Sequence, residues 1–303
     1  MIVLPTLRQL QFFLALARRK SFSKAAEDCL VSQSTLSSAI KELESILGAQ
    51  LVDRSTRAFA LTPAGEEAAD RAAPILAMVE DLARSATERR PLDGPFHLGV
   101  IPTIAPFLLP KATPKLKKAY PKLELFLRED LTANLVERLG AGLLDALVLA
   151  LPYDIPGAEV IEVGVDPFWF ACAPDSEMAA DKVMTPGGLK HANLLLLEDG
   201  HCLRDHALAA CRLRDPGVAA TFGATSLFTL AQMVRAGLGA TLLPEIAVKA
   251  GFAKSAGLAV APFADPPPAR RIGLAWRKGS GRRAEAEAIA RVLSGALKDI
   301  RSR

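Results

Sequence analysis

Cysteine is scarce in this chain, with only Cys29, Cys172, Cys202 and Cys211 among 303 residues. Four thiols are too few for the cross-linked framework of a small secreted fold, and point to redox or inert roles in a reducing compartment. Long apolar runs are missing too. None approaches eighteen residues, which excludes a membrane-spanning helix, and no membrane partner is expected. The N-terminus has no apolar core with a cleavage site; it carries Arg8, Arg18, Arg19 and Lys20 instead, so the expected location is cytoplasmic. Excess charge of one sign is also lacking: 37 Lys and Arg against 33 Asp and Glu give a net charge of +4. Any binding to nucleic acid must therefore come from a local patch. No catalytic motif with a cofactor occurs, so the chain does not read as an enzyme and no cofactor is expected. His201, Cys202, His206 and Cys211 lie near one another, but their spacing matches no tetrahedral zinc motif, and no metal is expected.

What the chain does have is enough apolar material, 50% of its residues, for a sizeable core in two or three domains. The stretch that organises it is Leu194 to Arg212, LLLLEDGHCLRDHALAACR. Four leucines predict a buried strand, Glu198-Asp199-Gly200 a turn, and Leu203 to Cys211 a helix. Cys202 stands at the junction with His201 before it and Arg204 just after. An imidazole, a guanidinium and a helix N-terminus all favour a thiolate. Nine residues of helix rise about 13 Å, whereas a disulfide needs Cα atoms within about 7 Å. Cys202 and Cys211 therefore cannot bond unless that helix unwinds. The competing reading is that Cys211, inside ALAACR, is a small buried hydrophobe.

The first sixty residues have a different organisation. Leu7, Leu10, Phe13, Leu14 and Ala17 fall at helical spacing. Ser21 is placed to cap a short helix from Phe22 to Asp28, Cys29-Leu30-Val31 forms a turn, and Ser32 caps a longer helix that stops at Gly48. Leu36, Ile40, Leu43 and Leu47 form the inner stripe of that helix. Its outer first turn presents Ser32, Gln33, Ser34 and Thr35, with Ser38 following. Two helices joined by a tight turn, the second beginning with small polar groups, suit insertion into a major groove, where Gln, Ser and Thr reach base edges. A small hairpin over 51–62 carries Arg54 and Arg57 at its tip, suited to phosphate backbone.

FSKAAEDCLVSQSTLSSAIKELESILGAQLVDRSTRAFALTPAG resembles the winged helix-turn-helix of the LysR-type transcriptional regulators. One departure is Ser34, where many members have proline; proline preorganises a first turn, and serine supplies a hydroxyl instead. From Thr62 a long helix runs towards Arg89, with Ala69, Ala73, Leu76, Val79 and Leu82 on one side. An exposed stripe of that length calls for a partner copy. The resemblance likewise implies a linker helix paired between subunits.

Beyond the hinge Arg89–Pro95, short apolar runs alternate with helical stretches: HLGVIP, LELFLRE, ALVLAL, FWFACAP, LLLLE, GATLLP and IGLAW. They predict an α/β sheet covered by helices, with ligands beyond the carboxyl ends of the strands. Thr103, Thr132 and Cys202 lie at such ends. The resemblance implies an α/β regulatory domain of two Rossmann-like, periplasmic-binding-protein-like subdomains, 95–165 plus 270–303 and 166–269. An all-α winged helix-turn-helix over 1–62 and a linker and dimerisation helix with hinge over 63–94 precede it.

Within this half, IPTIAPFLLP, LLDALVLAL, LLLLEDGHCLRDHALAAC and ATSLFTLAQMVRAGLGATLLP resemble the OxyR branch of the family, which senses hydrogen peroxide. GHCLRD is the most specific part. By that resemblance Cys202 takes the peroxidatic position and Cys211 the resolving one. Thr103, Thr132 and His201 fall on residues around the peroxide and Arg270 on an arginine near the sensing thiol; Arg204 and Asp205, beside Cys202 in the sequence, are expected to tune it as well. Thr221 stands where OxyR proteins can carry histidine. The implied partners are double-stranded promoter DNA, further copies of the chain as a dimer of dimers, hydrogen peroxide as signal, and RNA polymerase at activated oxidative-stress promoters. The alternative is a LysR-type regulator that binds a metabolite between its subdomains, its cysteines inert.

Overall fold

The structure, a computed structural model, describes residues 3–53, 59–85, 91–185, 187–198, 200, 202–210 and 224–302. They fall into two compact units, Met1–Glu88 with Gly140–Leu143, and Arg89–Leu139 with Leu144–Arg303.

In the first unit each helix begins where a hydroxyl is available to cap it. Thr6 and Gln9 form a reciprocal capping box on α1 (Leu7–Arg19), Ser21 caps α2 (Phe22–Asp28), and Ser32 caps α3 (Gln33–Leu47). Gly48 ends α3 with φ +66°, a left-handed turn that favours glycine. Phe13, Leu16, Leu36, Ile40 and Leu43 fill the core between the three helices. Leu47 does not join them. At 43% exposed it lies on the last turn, beyond the reach of that core. The wing is an antiparallel pair, β1 (Val52–Asp53) with β2 (Ala60–Leu61). After it, α4 (Pro63–Ser85) packs Ala72 and Leu76 into the same core. Gly65 is required there, because a Cβ would sit 2.1 Å from the Leu51 carbonyl oxygen. Leu82 departs from the expected inner stripe. With Ile75 and Met78 it forms a second, exposed apolar row.

The second unit is built on a seven-stranded mixed sheet. In chain order its elements are β3 (Gly94–Val100), α5 (Ala105–Ala119), β4 (Leu123–Glu129), α6 (Thr132–Gly140), β5 (Ala146–Leu151), β6 (Ala158–Cys172), α7 (Cys202–Ala210), α8 (Leu227–Arg235), β7 (Thr241–Pro244), α9 (Glu245–Lys249), α10 (Phe252–Ser255), β8 (Ala259–Pro262), β9 (Ala269–Arg277) and α11 (Arg283–Arg301). The strand order is β4-β3-β5-β9-β6-β7, with β8 also on β6. β4, β3 and β5 run parallel, and β9 and β6 are antiparallel to their neighbours. The long β6 and β9 pair along nine positions and carry the sheet from one half of the unit to the other. This is the α/β regulatory fold of two subdomains joined by crossing strands.

Two details of this second unit differ from the sequence-based expectation. Leu194–Leu197 is buried but makes only isolated bridges, Leu194 to Ala240 and Leu197 to Ala224. Its backbone is satisfied piecemeal instead: the Leu195 amide donates to the Ala240 carbonyl, and the Thr241 hydroxyl donates to the Leu195 carbonyl, each at 2.8 Å. β8, short and half exposed, was not foreseen at all.

Candidate functional site

The candidate site is assembled from five separate elements of the second unit, and its centre is an ion pair. Asp166 on β6 faces Arg270 on β9 directly across the ladder. Both side chains are wholly buried, 2.9 Å apart. Arg270 Nε also donates to Asp166 Oδ2 at 3.0 Å, while the Ile246 amide donates to Asp166 Oδ1 at 3.0 Å. Burial pushes the Asp166 carboxyl up, and the guanidinium beside it opposes that push. The rest of the guanidinium points at Thr103 in the turn after β3. Arg270 Nη1 donates to the Thr103 hydroxyl oxygen at 2.8 Å, and Nη2 donates to its carbonyl at 3.0 Å. Because that hydroxyl oxygen already accepts from Arg270, its own proton is left to be donated elsewhere.

Thr132 opens α6. Just before it, Asp130 accepts from the Leu131 amide at 3.0 Å and from Asn134 Nδ2 at 2.8 Å, which fixes the turn that presents the threonine. The bond from Asn134, with Arg128 second, holds the Asp130 carboxyl below its ordinary value. The Thr132 hydroxyl, itself buried, makes a close hydrogen bond with the sulfur of Cys202 at the start of α7.

Cys202 is 7% exposed. Burial pushes its thiol up; the Thr132 bond, the backbone of its helix start and the charge of Arg270 pull the other way, and Asp205 adds to the rise. The balance is a raised value: the helix start and a guanidinium favour the thiolate as expected, but burial is larger. Desolvation outweighs the helix end, and the guanidinium acting on the sulfur is Arg270's. Arg204 is half-buried on the same turn, and Asp205 is exposed.

The structure thus brings Thr103, Thr132, Cys202 and Arg270 together. His201 and Cys211 lie outside the described residues, as do Thr221 and the wing residues Arg54 and Arg57. Two residues were not anticipated from sequence. One is Asp166, whose signal was a carboxylate in the apolar strand GVDPFWF. The other is Tyr153, whose phenol is pushed up by burial and then by the charge of Cys202, so that it lies within electrostatic reach of the sulfur.

The outward face of the first unit is the beginning of α3. Ser32, Gln33, Ser34, Thr35 and Ser38 are all exposed. Ser34 turns its hydroxyl back to that of Ser32 at 2.8 Å, so it reinforces the cap in place of the stiffness a proline would give. Gln33 Oε1 accepts from the Ser23 hydroxyl at 3.1 Å, which leaves its acceptor engaged and its amide nitrogen as a donor.

Residues 7–66 match the family described as "Bacterial regulatory helix-turn-helix protein, lysR family", and residues 89–298 match "LysR substrate binding domain". The chain belongs to the LysR family. Among its relatives, a probable hydrogen peroxide-inducible genes activator of Streptomyces viridosporus is 42% identical over 98% of this chain and 96% of the relative. A full-length OxyR of Pseudomonas aeruginosa with a cysteine-to-aspartate substitution superposes with a TM-score of 0.80 at 33% identity, covering 96% of this chain and 98% of that one. A cysteine-to-serine OxyR of Corynebacterium glutamicum, solved with hydrogen peroxide bound, gives 0.68 at 37% identity, covering 100% and 95%. Within the LysR family, this regulator is therefore similar to OxyR proteins along nearly its whole length. Among its described residues no helix is long and apolar enough to cross a membrane.

Proposed function

We propose that this LysR-family regulator senses hydrogen peroxide at Cys202 and passes the signal to promoter DNA through α3. The observation that carries the reading is the buried Cys202 sulfur bonded to the Thr132 hydroxyl, with Arg270 and Thr103 fixed alongside, in a chain so similar to an OxyR that binds peroxide. A thiol held protonated in a dry site reacts poorly with oxidants at large. Peroxide bound between Thr103, Thr132 and His201 meets it in place. The sulfur attacks one peroxide oxygen, the S–O bond forms as the O–O bond breaks, and the thiol proton leaves with the departing oxygen as water. The resulting sulfenic acid condenses with the Cys211 thiol, giving a disulfide and a second water. Arg270 and Arg204 are the cations of this scheme, and Asp205 and Asp166 their counterweights.

Because α7 occupies Cys202–Ala210, a disulfide from Cys202 to Cys211, the next residue of the chain, requires that helix to unwind. That remodelling is the output of the regulatory region, 95–303, with subdomains over 95–165 plus 270–303 and 166–269. The linker and dimerisation helix with its hinge, 63–94, carries it to the DNA-binding region 1–62. There Ser32, Gln33, Ser34, Thr35 and Ser38 meet base edges, and Arg54 and Arg57 meet phosphates. The chain works in the cytoplasm as a homo-oligomer, a dimer of dimers, activating promoters with RNA polymerase. Each molecule turns over once as a signal, so it is not an enzyme.

The test is Cys202→Ser. Its hydroxyl is nearly isosteric but far too weakly acidic to be a nucleophile here. The variant is expected to bind DNA and fold as before, and to lose every response of its DNA complex to peroxide. A retained response would return the chain to the metabolite-binding reading.

A further inference from the structure

His206 lies on α7 one turn after Cys202, and its ring has a carbonyl oxygen at each nitrogen. Nδ1 is 2.6 Å from the carbonyl oxygen of Cys202 itself, and Nε2 is 3.2 Å from that of Pro152, in the segment leaving β5. A carbonyl can only accept, so each tie needs an N–H; a singly protonated ring holds one and an imidazolium holds both. The residue after Pro152 is Tyr153, which lies within electrostatic reach of the Cys202 sulfur. The His206 ring therefore stands between the backbone of the sensing residue and the segment leaving β5.

The position matters because α7 is short. It is nine residues long. A helix that short is marginal in water and depends on tertiary contacts. Besides Cys202, its buried side chains among the described residues are Leu203 and Ala207, while Asp205 and Ala209 are exposed.

We propose that His206 is a positioning residue: seated between the carbonyls of Cys202 and Pro152 and donating its N–H there, it holds the first turn of α7 against the segment after β5. In the reduced protein it thereby sets how readily residues 203–210 unwind to let a disulfide form. The last part rests on the resolving role of Cys211; the tie itself does not.

Hydrogen exchange on the reduced full chain tests the tie without any oxidation chemistry. In His206→Ala the amides of 203–210 are expected to exchange roughly three- to tenfold faster, the worth of one hydrogen bond. In His206→Gln, which keeps an N–H donor, the increase is expected to be smaller. Alanine is the better helix former, so propensity alone would shift exchange the other way. If the alanine variant does not fold, His206→Met fills the space without a donor and takes its place. Unchanged protection of α7 in the donor-free variant overturns the proposal.

The second arm follows the reaction with stoichiometric peroxide by mass. Loss of the Cys202 thiol is expected to stay within about twofold of the parent, while the 202–211 disulfide forms faster by the factor seen in exchange. Both steps slowed together would mark a general loss of structure and overturn the positioning role. A parent protein that never forms that disulfide contradicts the resolving pair, and the exchange arm still decides the tie.

Discussion

At Cys202 two opposing influences meet. Burial removes the water that would stabilise a thiolate, whereas the Thr132 hydroxyl and the Arg270 charge stabilise it from within the fold. Burial prevails, so the reduced protein keeps its proton beyond the ordinary cysteine value of about 8.5. Thiolate absorbance during a pH titration is expected to rise only above that value. Thr132→Val should move the rise higher still, because the hydroxyl is the largest of the groups that lower it. The sign for stability follows: the unfolded chain gives up this proton first, so the contribution of the buried thiol is present below about pH 8.5 and fades as pH rises towards the folded value. Thiolate already present at neutral pH, or no shift in Thr132→Val, would refute the assignment of burial and Thr132 as the governing influences. Asp166 shows the limit of the residue scale. It touches no sulfur, yet it holds the guanidinium that reaches both Thr103 and, through its charge, Cys202.

At the scale of elements, the polar start of α3 makes a separate prediction. Gln33→Ala is expected to lower discrimination between the specific site and scrambled DNA by about 1–3 kcal/mol, with little change on scrambled DNA. Binding measured over a salt series checks it, and equal losses on both sequences would place Gln33 on the phosphate backbone.

Much of this scale was legible in the sequence. Ser21 and Ser32 as caps, Gly48 as a stop and the apolar spacing of α1 to α3 are local signals, and they set the helix bounds. The runs around 94–100, 123–129 and 146–151 are strands for the same reason. Leu194–Leu197 was misread because burial on all sides looks the same in sequence whether or not a neighbouring strand is in register. Of the site, Cys202, Thr103 and Thr132 stood at predicted strand and helix ends, and family resemblance pointed to Arg270. Asp166 and Tyr153 were not legible, because their roles come from cross-strand register and from the path of the chain after β5. The rise of the Cys202 thiol was hidden for a related reason: sequence lists neighbouring charges but does not show how dry a site is.

For the whole molecule, the proposed function puts the sensing thiol and the DNA-binding helix in different compact units, so the proposed signal has to pass between them. The exposed row Ile75, Met78 and Leu82 on α4 has the three- and four-residue spacing of a helix-pairing seam. A double change, Met78→Glu with Leu82→Glu, is expected to weaken self-association at least tenfold. It should leave α1 to α3 folded, because neither side chain enters their core. Sedimentation reads the oligomer directly, and an unchanged association constant would move the subunit contact elsewhere.

The central claim is that Cys202 is the thiol peroxide reaches and that Cys211 closes the reaction. Non-reducing peptide mass spectrometry of the full chain, before and after one equivalent of hydrogen peroxide, tests it most directly. The account predicts a new 202–211 disulfide with Cys29 and Cys172 left as thiols, and in Cys211→Ser a sulfenic acid at Cys202 that dimedone traps. Cys202 recovered as a free thiol after that treatment, or oxidation spread equally over the other cysteines, would contradict it.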